Sequence, residues 1–126
     1  LLDRRARREP LQYILGTQPF MGVTLTVSPA ALIPRQDTET LCEEALKHLR
    51  PGMSVLDLCT GSGALAIALK IHCPGVQVTA SDLSDDALKL ARETTGIRDC
   101  TILTWDDEDE LDGVRIVPVW KWLLTV

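Results

Sequence analysis

Apolar and polar residues alternate near the start of the chain. Over residues 23–27 valine and leucine alternate with threonine, which is typical of a strand with one buried face. Together with the preceding apolar segment, which ends at Gly16, this pattern predicts a β-hairpin over roughly residues 13–27. Residues 1–9 are rich in charge and predict the end of a helix, which Pro10 would terminate.

The next segment has helical periodicity. A helix is predicted over Glu39–Leu49, and either Asp37 or Thr38 has a side chain suited to capping its first turn. Its expected apolar stripe consists of Leu41, Ala45, Leu46 and Leu49. Pro51 and Gly52 follow immediately and end the pattern.

A β-α-β unit is predicted in the middle of the chain. Its first strand, Ser54–Leu58, carries consecutive apolar residues, as expected for a strand covered on both faces. A glycine-rich turn leads into a helix over 64–70, which is followed by a strand over 76–81. A helix over Ala87–Glu93, capped by the segment 84–86, comes next. This order predicts an α/β fold in which the two strands are parallel and the crossover is right-handed.

The pattern weakens after Thr94. A third strand is predicted over 101–105, and the apolar segments 114–119 and 120–126 predict a further strand. Between them, residues 106–112 carry six carboxylates, which predicts a solvated loop.

Composition narrows the class of protein. The chain has 126 residues, 45% hydrophobic and 25% charged, which is the balance of one small globular domain. No apolar run approaches the roughly 20 residues that span a bilayer, so no membrane association is expected. Because the chain begins without Met or an apolar export signal, we expect a cytoplasmic protein and a piece of a longer chain. The four cysteines and two histidines have no zinc-site spacing, so no metal site is predicted.

Charge is distributed unevenly along the chain. Residues 1–35 carry five arginines and two acids, a net +3, whereas the remainder carries eight basic and sixteen acidic residues, a net -8. A domain with a net charge of -5 is a poor non-specific ligand for nucleic acid, so none is expected as a direct partner. The arginine cluster over residues 4–8 is interpreted as a solvated helix end, with contact to RNA or an acidic partner as the alternative.

The candidate ligand site combines a glycine-rich turn with two acids. The glycines of the segment Cys59–Gly63 let the backbone approach a ligand, and the following helix directs free N–H groups towards an anion. Asp82, nineteen positions after Gly63, ends the second strand and suits the two hydroxyls of a ribose. Asp57, just before the turn, would repel a pyrophosphate and attract an ammonium group. These features favour S-adenosylmethionine over NAD; alternatively, Asp57 caps the turn and the glycines only relieve strain.

Three segments resemble one known family. They are Arg4–Gly16 with its Pro-Leu-Gln-Tyr-Ile-Leu-Gly run, Val27–Glu39 with the pattern Pro-Arg-x-Asp-Thr-Glu, and Val55–Ala64 with the glycine-rich motif. Together they resemble the bacterial release factor glutamine methyltransferases, the HemK/PrmC family, over about residues 4–93. The glycine motif alone would indicate only a methyltransferase, whereas the upstream Pro-Arg-x-Asp-Thr-Glu segment specifies the subfamily.

The resemblance implies a fold and an activity. The fold would be part of a Rossmann-like class I methyltransferase sheet preceded by a β-hairpin, with residues 1–34 as hairpin and linker and 35–126 as the first part of the catalytic domain. The activity would be transfer of a methyl group from S-adenosylmethionine to the glutamine side chain in the Gly-Gly-Gln motif of peptide chain release factors, in translation termination.

The resemblance also implies roles for single residues. The residues predicted to contact the cofactor are Asp57, Cys59, Thr60, Gly61, Ser62, Gly63, Asp82 and Thr38. The turn residues would hold the methionine part and Asp82 the ribose, while Cys59 stands where the family usually has glycine. Arg35, Thr38 and Glu39 would border the pocket, and helix capping is the alternative role of Thr38.

One departure from the family bears on activity. The Asn-Pro-Pro-Tyr loop that positions the amide substrate is absent from this sequence, so no catalytic residue is assigned. The alternatives are therefore a methyltransferase present in part, a non-catalytic or degenerate relative that still binds cofactor, and an NAD-binding oxidoreductase fragment. A partial sheet would leave a strand edge unpaired, which predicts either a homodimer that covers the edge or a poorly folded monomer.

Overall fold

A computed structural model describes residues 2–95, 100–104, 109–111, 114–118, 121 and 124, with side chains described for 2–95, 121 and 124. The helices are α1 Leu2–Ala6, α2 Leu11–Leu15, α3 Gln36–His48, α4 Ala64–His72 and α5 Asp85–Thr95. The strands are β1 Thr17–Phe20, β2 Val23–Thr26, β3 Ser54–Leu58, β4 Gln77–Ser81, β5 Cys100–Thr104, β6 Asp109–Leu111 and β7 Val114–Pro118. Within this part of the chain, no helix has the length and apolar character needed to cross a membrane.

The predicted hairpin is confirmed but is shorter than expected. β1 and β2 pair antiparallel, with Phe20 opposite Val23. Both residues of the connecting turn, Met21 and Gly22, have positive φ angles of 48° and 75°. This combination matches the twist of a two-residue hairpin turn. The segment before β1 is a helical turn, α2, where a strand was expected, because Gly16 closes it in the left-handed conformation with its N–H bonded to the carbonyl of Gln12.

The third helix begins earlier than predicted. α3 starts at Gln36, and its N-cap, Arg35, makes no side-chain capping bond. The prediction that Asp37 or Thr38 caps this helix is therefore wrong, since both lie inside its first turn, where the charge of Asp37 suits the helix dipole. The apolar stripe predicted for α3 is wrong at Leu41, which is exposed.

The buried face of α3 is displaced by one position from the prediction. Leu41 is 56% exposed, whereas Cys42 is fully buried. Ala45, Leu46 and Leu49 pack against the same core as predicted. Cys42 lies three, four and seven residues before these positions, which is the spacing of one helix face.

The β-α-β unit is confirmed. β3 and β4 pair parallel in the register Asp57 opposite Ala80 and Leu58 opposite Ser81, and α4 connects them. The hairpin, α3 and α4 share one hydrophobic core, formed by Phe20, Leu25, Cys42, Ala64, Ile67, Ala68 and Leu69. The predicted boundary at residue 34 stays a prediction, although the hairpin before it and the helices after it contribute to this single core.

The C-terminal strands form a separate ladder. β5 lies beside β4 and pairs parallel with β7, while β6 pairs antiparallel with β7. The strands predicted over 101–105 and 114–119 are confirmed for their described parts, since residues 105 and 119 lie outside the described residues. The solvated loop predicted over 106–112 is wrong for residues 109–111, which form β6; residues 106–108 and 112 lie outside the described residues. Pairing with β7 places this acidic segment in a strand, which its own composition does not favour.

Candidate functional site

The five residues between β3 and α4, Cys59–Gly63, form a turn with an unusual backbone. We call this segment the glycine turn. Cys59, Gly61 and Gly63 all adopt the left-handed conformation, with φ angles of 60°, 58° and 79°. Glycine takes this conformation without steric penalty, whereas a side chain costs roughly 1–2 kcal/mol. Cys59 is exposed and carries this strain, which gives a physical reason for a glycine at the same place in the resembled family.

Main-chain hydrogen bonds fix the turn to the end of the neighbouring strand. The N–H of Thr60 donates to the carbonyl of Ser81, the last residue of β4, at 2.9 Å. The N–H of Gly63 donates to the carbonyl of Thr60 at 3.0 Å, which closes the turn on itself. The first bond brings the turn beside Asp82, since Asp82 directly follows Ser81 in the chain.

Asp57 is buried beneath the turn and has two hydrogen-bond donors. Its Oδ2 accepts from the Thr60 hydroxyl at 2.6 Å and from the N–H of Ala66 at 3.2 Å. Ala66 is the third residue of α4, and the N-cap of that helix is Gly63, which has no side chain to cap it. Asp57 therefore satisfies a helix donor that would otherwise lack a partner, as the capping interpretation of this residue predicts.

The environment of Asp57 shifts the pKa of its carboxyl upwards from the ordinary value. Burial raises the pKa of the Asp57 carboxyl, and the hydrogen bonds from Thr60 and Ala66 partly oppose that rise. The nearby negative charge of Asp82 raises the same pKa further. The two carboxylates are thus close enough for the charge of one to affect the other.

Asp82 holds the turn from the other side. Its Oδ2 accepts from the N–H of Gly61 at 2.8 Å, and its Oδ1 accepts from the N–H of Ser84 at 2.9 Å. One half-buried carboxylate therefore joins the glycine turn to the segment that begins α5. Asp57 and Asp82 therefore both bind groups of the same turn, whereas a ligand site shared by the two acids stays a prediction.

The comparison with protein families covers this whole arrangement. The sequence profile of the family described as "Methyltransferase small domain" matches residues 36–114, which include the turn and both acids. The chain belongs to this methyltransferase family. Methyltransferases in general use S-adenosylmethionine as methyl donor, and the chemistry of the turn is compatible with that cofactor.

Curated relatives agree with the resemblance seen in the motifs. The chain is 50% identical over 92 residues to a protein of Geobacter sulfurreducens named release factor glutamine methyltransferase, covering 73% of this chain and 32% of the relative. Proteins of the same name from Salmonella typhimurium and Vibrio cholerae are 47% and 51% identical over 107 and 94 residues. These matches cover 82% and 74% of this chain, and 39% and 33% of the relatives. The chain thus spans about a third of the length of the relatives it matches.

Gly61 and Gly63 of the glycine turn are required for different structural reasons. A Cβ added at Gly63 would lie 2.8 Å from the Cβ of Ala91 in α5 and 3.1 Å from Cδ1 of Ile67. A Cβ added at Gly61 would meet only the Cβ of Ala31, at an ordinary contact distance of 3.9 Å. Gly63 is therefore required for close packing of α5 as well as for its backbone angle, whereas Gly61 is required for the angle alone.

The predicted residues of the Pro-Arg-x-Asp-Thr-Glu segment occupy a different place. The side chain of Thr38 is half-buried, and among the described bonds none joins it to the turn. Glu39 accepts a hydrogen bond from the N–H of Met21 at 2.8 Å, so it holds the hairpin turn. His72 approaches the carbonyl of the same Met21 at 2.8 Å from α4. Motif spacing did not reveal this double anchorage, because its partners lie far apart in the chain.

A cavity of about 180 Å³ separates the hairpin from the start of α3. Its walls are Gln18, Pro19, Phe20, Pro34, Arg35, Gln36 and Glu39. Arg35 and Glu39, which the resemblance places beside the cofactor pocket, line this cavity, whereas the acids and glycines of the turn do not. The residues of the Pro-Arg-x-Asp-Thr-Glu motif that line this cavity are therefore Pro34, Arg35, Gln36 and Glu39.

Proposed function

We propose that this chain is the cofactor-binding part of a methyltransferase that acts on the Gly-Gly-Gln glutamine of peptide chain release factors. The convergence of Asp57 and Asp82 on one left-handed glycine turn is the observation that carries the binding proposal. The relatives named release factor glutamine methyltransferase support the substrate. Such a protein would work in the cytoplasm with a release factor as its partner, and without a membrane or direct nucleic-acid contact.

Each acid has capacity left for the cofactor. Each oxygen of a carboxylate has two lone pairs, and each oxygen of Asp82 accepts one described bond, so both can also accept from ribose hydroxyls. The Oδ2 atom of Asp57 accepts two bonds, which leaves Oδ1 for the ammonium group of S-adenosylmethionine. In this assignment the turn from Cys59 to Gly63, including Thr60 and Ser62, holds the methionine part.

The remaining assignments follow from the family resemblance. Thr38 would border the pocket from α3, and a first-turn position there is compatible with that role. The cofactor supplies a methyl group on a sulfonium, while the residues of this chain bind and orient it. Because the Asn-Pro-Pro-Tyr loop is absent from the sequence, we propose that the chain alone binds cofactor without transferring the methyl group.

The β3 edge suggests an assembly. Among the described strands β3 pairs with β4 alone, so its other edge has unpaired backbone groups. Leu58 at the end of this strand is exposed. We propose that a second copy of the chain covers this edge in solution, because an open strand edge favours pairing with another strand. Light scattering that shows a stable, cooperative monomer would contradict this proposal.

Calorimetry with S-adenosylhomocysteine tests the binding proposal. The chain should bind this probe, and Asp82→Ala should weaken binding by about 1.5–3 kcal/mol, the value of a charge-assisted hydrogen-bond partner. The matched control is Asp86→Ala, since Asp86 is an exposed acid of α5 whose described ion pair is with Lys89. Absence of binding to a folded sample, or displacement by NAD at similar concentration, would contradict the proposal.

A further inference from the structure

The segment 28–33 borders the space beside Gly61 in the glycine turn. The Cβ of Ala31 lies 3.9 Å from the position that a Cβ would occupy on Gly61, which is an ordinary van der Waals distance. Within the described part of the chain, and leaving aside the neighbours Thr60 and Ser62, no other atom lies within 4 Å of that position. Ala31 therefore borders the space beside Gly61, which has room for about one methyl group.

Ser28 accepts two hydrogen bonds from backbone N–H groups of this segment. The N–H of Ala31 donates to the carbonyl of Ser28, and the N–H of Ala30 donates to the Ser28 hydroxyl, both at 3.2 Å. These bonds close a local turn of the kind that serine favours. They are local, however, and they do not tie the segment to another element of the fold.

The side chain of Tyr13 connects this segment to helix α2. Its hydroxyl donates to the carbonyl of Ala31 at 2.9 Å, across eighteen positions of sequence. Tyr13 is half-buried in α2, and α2 itself is fixed because the carbonyl of Gly16 accepts from the N–H of Val27 at 2.9 Å. The carbonyl of Ala31 is thus held by a rigid aromatic side chain on an anchored helical turn.

We propose that Tyr13 is a positioning residue for the glycine turn, acting through Ala31 on Gly61, so that cofactor affinity depends on a hydroxyl outside the pocket. The inference rests on the proposed function, and it adds a residue outside the span 36–114 that matches the methyltransferase family. The N–H of Gly61 donates to the carboxylate of Asp82, the proposed ribose ligand. Hydrogen exchange of this N–H therefore measures how well the turn is ordered at Gly61. A segment that moves away from Gly61 would widen the space beside the turn and admit water to the Gly61–Asp82 bond.

The test removes the Tyr13 hydroxyl alone. Tyr13→Phe keeps the ring and leaves the Ala31 carbonyl without this donor, so S-adenosylhomocysteine should bind about threefold to tenfold more weakly, the usual effect of one neutral hydrogen bond. Amide hydrogen exchange of Gly61 in the ligand-free chain should accelerate by a similar factor. Ser28→Ala, which removes the other side-chain anchor of the segment, should change both quantities in the same direction.

Thr94→Val is the matched control. The Thr94 hydroxyl accepts from the N–H of Thr26 at 2.9 Å, so this variant also removes one side-chain bond between the N-terminal region and the rest of the fold. It should lower thermal stability about as much as Tyr13→Phe does, but leave affinity and Gly61 exchange unchanged. If both variants change Gly61 exchange equally, the effect is general destabilisation and the proposal is wrong.

The failure of this inference and the failure of the proposed function give different results. If the unaltered chain binds S-adenosylhomocysteine and Tyr13→Phe binds it equally well, Tyr13 is not a positioning residue. If the folded, unaltered chain does not bind the probe, the proposed function fails, and Gly61 exchange still decides whether Tyr13 orders the turn. Unchanged Gly61 exchange in both Tyr13→Phe and Ser28→Ala would overturn the inference in that case.

Discussion

The glycine turn and the hairpin are held in place by different kinds of interaction. Asp57 and Asp82 hold the turn through hydrogen bonds to its amides and to Thr60. The hairpin is held mainly by apolar burial, since Phe20 and Leu25 are almost fully inaccessible. Because burial of apolar side chains is the main source of folding stability, we expect the hairpin to contribute more to the free energy of unfolding than the turn does.

The anchoring of the hairpin predicts the largest effect. Phe20→Ala should lower the free energy of unfolding by about 3–5 kcal/mol, because it leaves a cavity in the core shared with α3 and α4. Urea denaturation measures this loss. Leu15→Ala is the control, since Leu15 is an exposed residue of α2 and its loss should matter by no more than about 0.5 kcal/mol. Equal effects of the two variants would show that the hairpin does not stabilise the domain.

The two turn glycines predict the next effect. Gly63→Ala should destabilise by about 1–3 kcal/mol from overpacking against Ala91 and Ile67, in addition to roughly 1–2 kcal/mol of backbone strain. Gly61→Ala should cost the strain alone, because its new methyl group meets Ala31 at an ordinary distance. Thermal denaturation of the pair measures the difference. If both substitutions cost the same, close approach of α5 to the turn is not what requires Gly63.

The contrast between the two regions also explains what the sequence could predict. The strands β3 and β4, the turn and the two acids follow from residues close together in the chain, and their parallel arrangement follows from general rules of connection. The anchors of the hairpin do not follow, because Glu39 and His72 meet Met21 across eighteen and fifty-one positions. Side-chain contacts of that range depend on packing, which periodicity cannot specify.

The sequence-based errors have the same origin. The cap-forming side chains of Asp37 and Thr38 predict the start of α3, but the helix begins after Arg35, which makes no side-chain capping bond. The acidic residues of β6 predict a loop, but the segment forms a strand because it pairs with β7. For Asp57 two roles were open, and its Oδ2 atom fulfils the capping role while the ligand role stays a proposal. Local composition therefore predicts the glycine turn and its flanking strands better than it predicts the boundaries and contacts of the elements around them.

The pH dependence of stability separates the two regions further. Burial raises the pKa of Asp57 from its ordinary value of 3.8, so the folded chain holds this proton more tightly than the unfolded chain does. As pH rises from about that value through the raised pKa, this group removes stability. The buried side chains of the hairpin, Phe20 and Leu25, carry no titratable group.

Asp57→Asn tests this sign. The variant keeps an oxygen that can accept from Thr60 and Ala66 but cannot ionise, so above pH 3.8 its free energy of unfolding should fall less steeply, or rise more steeply, with pH than that of the unaltered chain. Urea denaturation over a series of pH values gives the two slopes. Asp86→Asn, which removes the carboxylate of an exposed acid, is the matched control for the loss of one negative charge. Identical slopes for Asp57→Asn and the unaltered chain would contradict a raised pKa at Asp57.

The smallest effect compares the same backbone strain in both regions. Cys59 in the ligand turn and Met21 in the hairpin turn are non-glycine residues with φ angles of 60° and 48°. Replacement by glycine relieves roughly 1–2 kcal/mol of strain but adds about 0.4–1 kcal/mol of unfolded-state entropy, so each variant should gain a fraction of 1 kcal/mol. Met21 also packs its side chain against the core, whereas Cys59 is exposed, so Cys59→Gly should gain more than Met21→Gly. A larger gain for Met21→Gly in thermal denaturation would mean that strain, and not side-chain packing, dominates the hairpin turn.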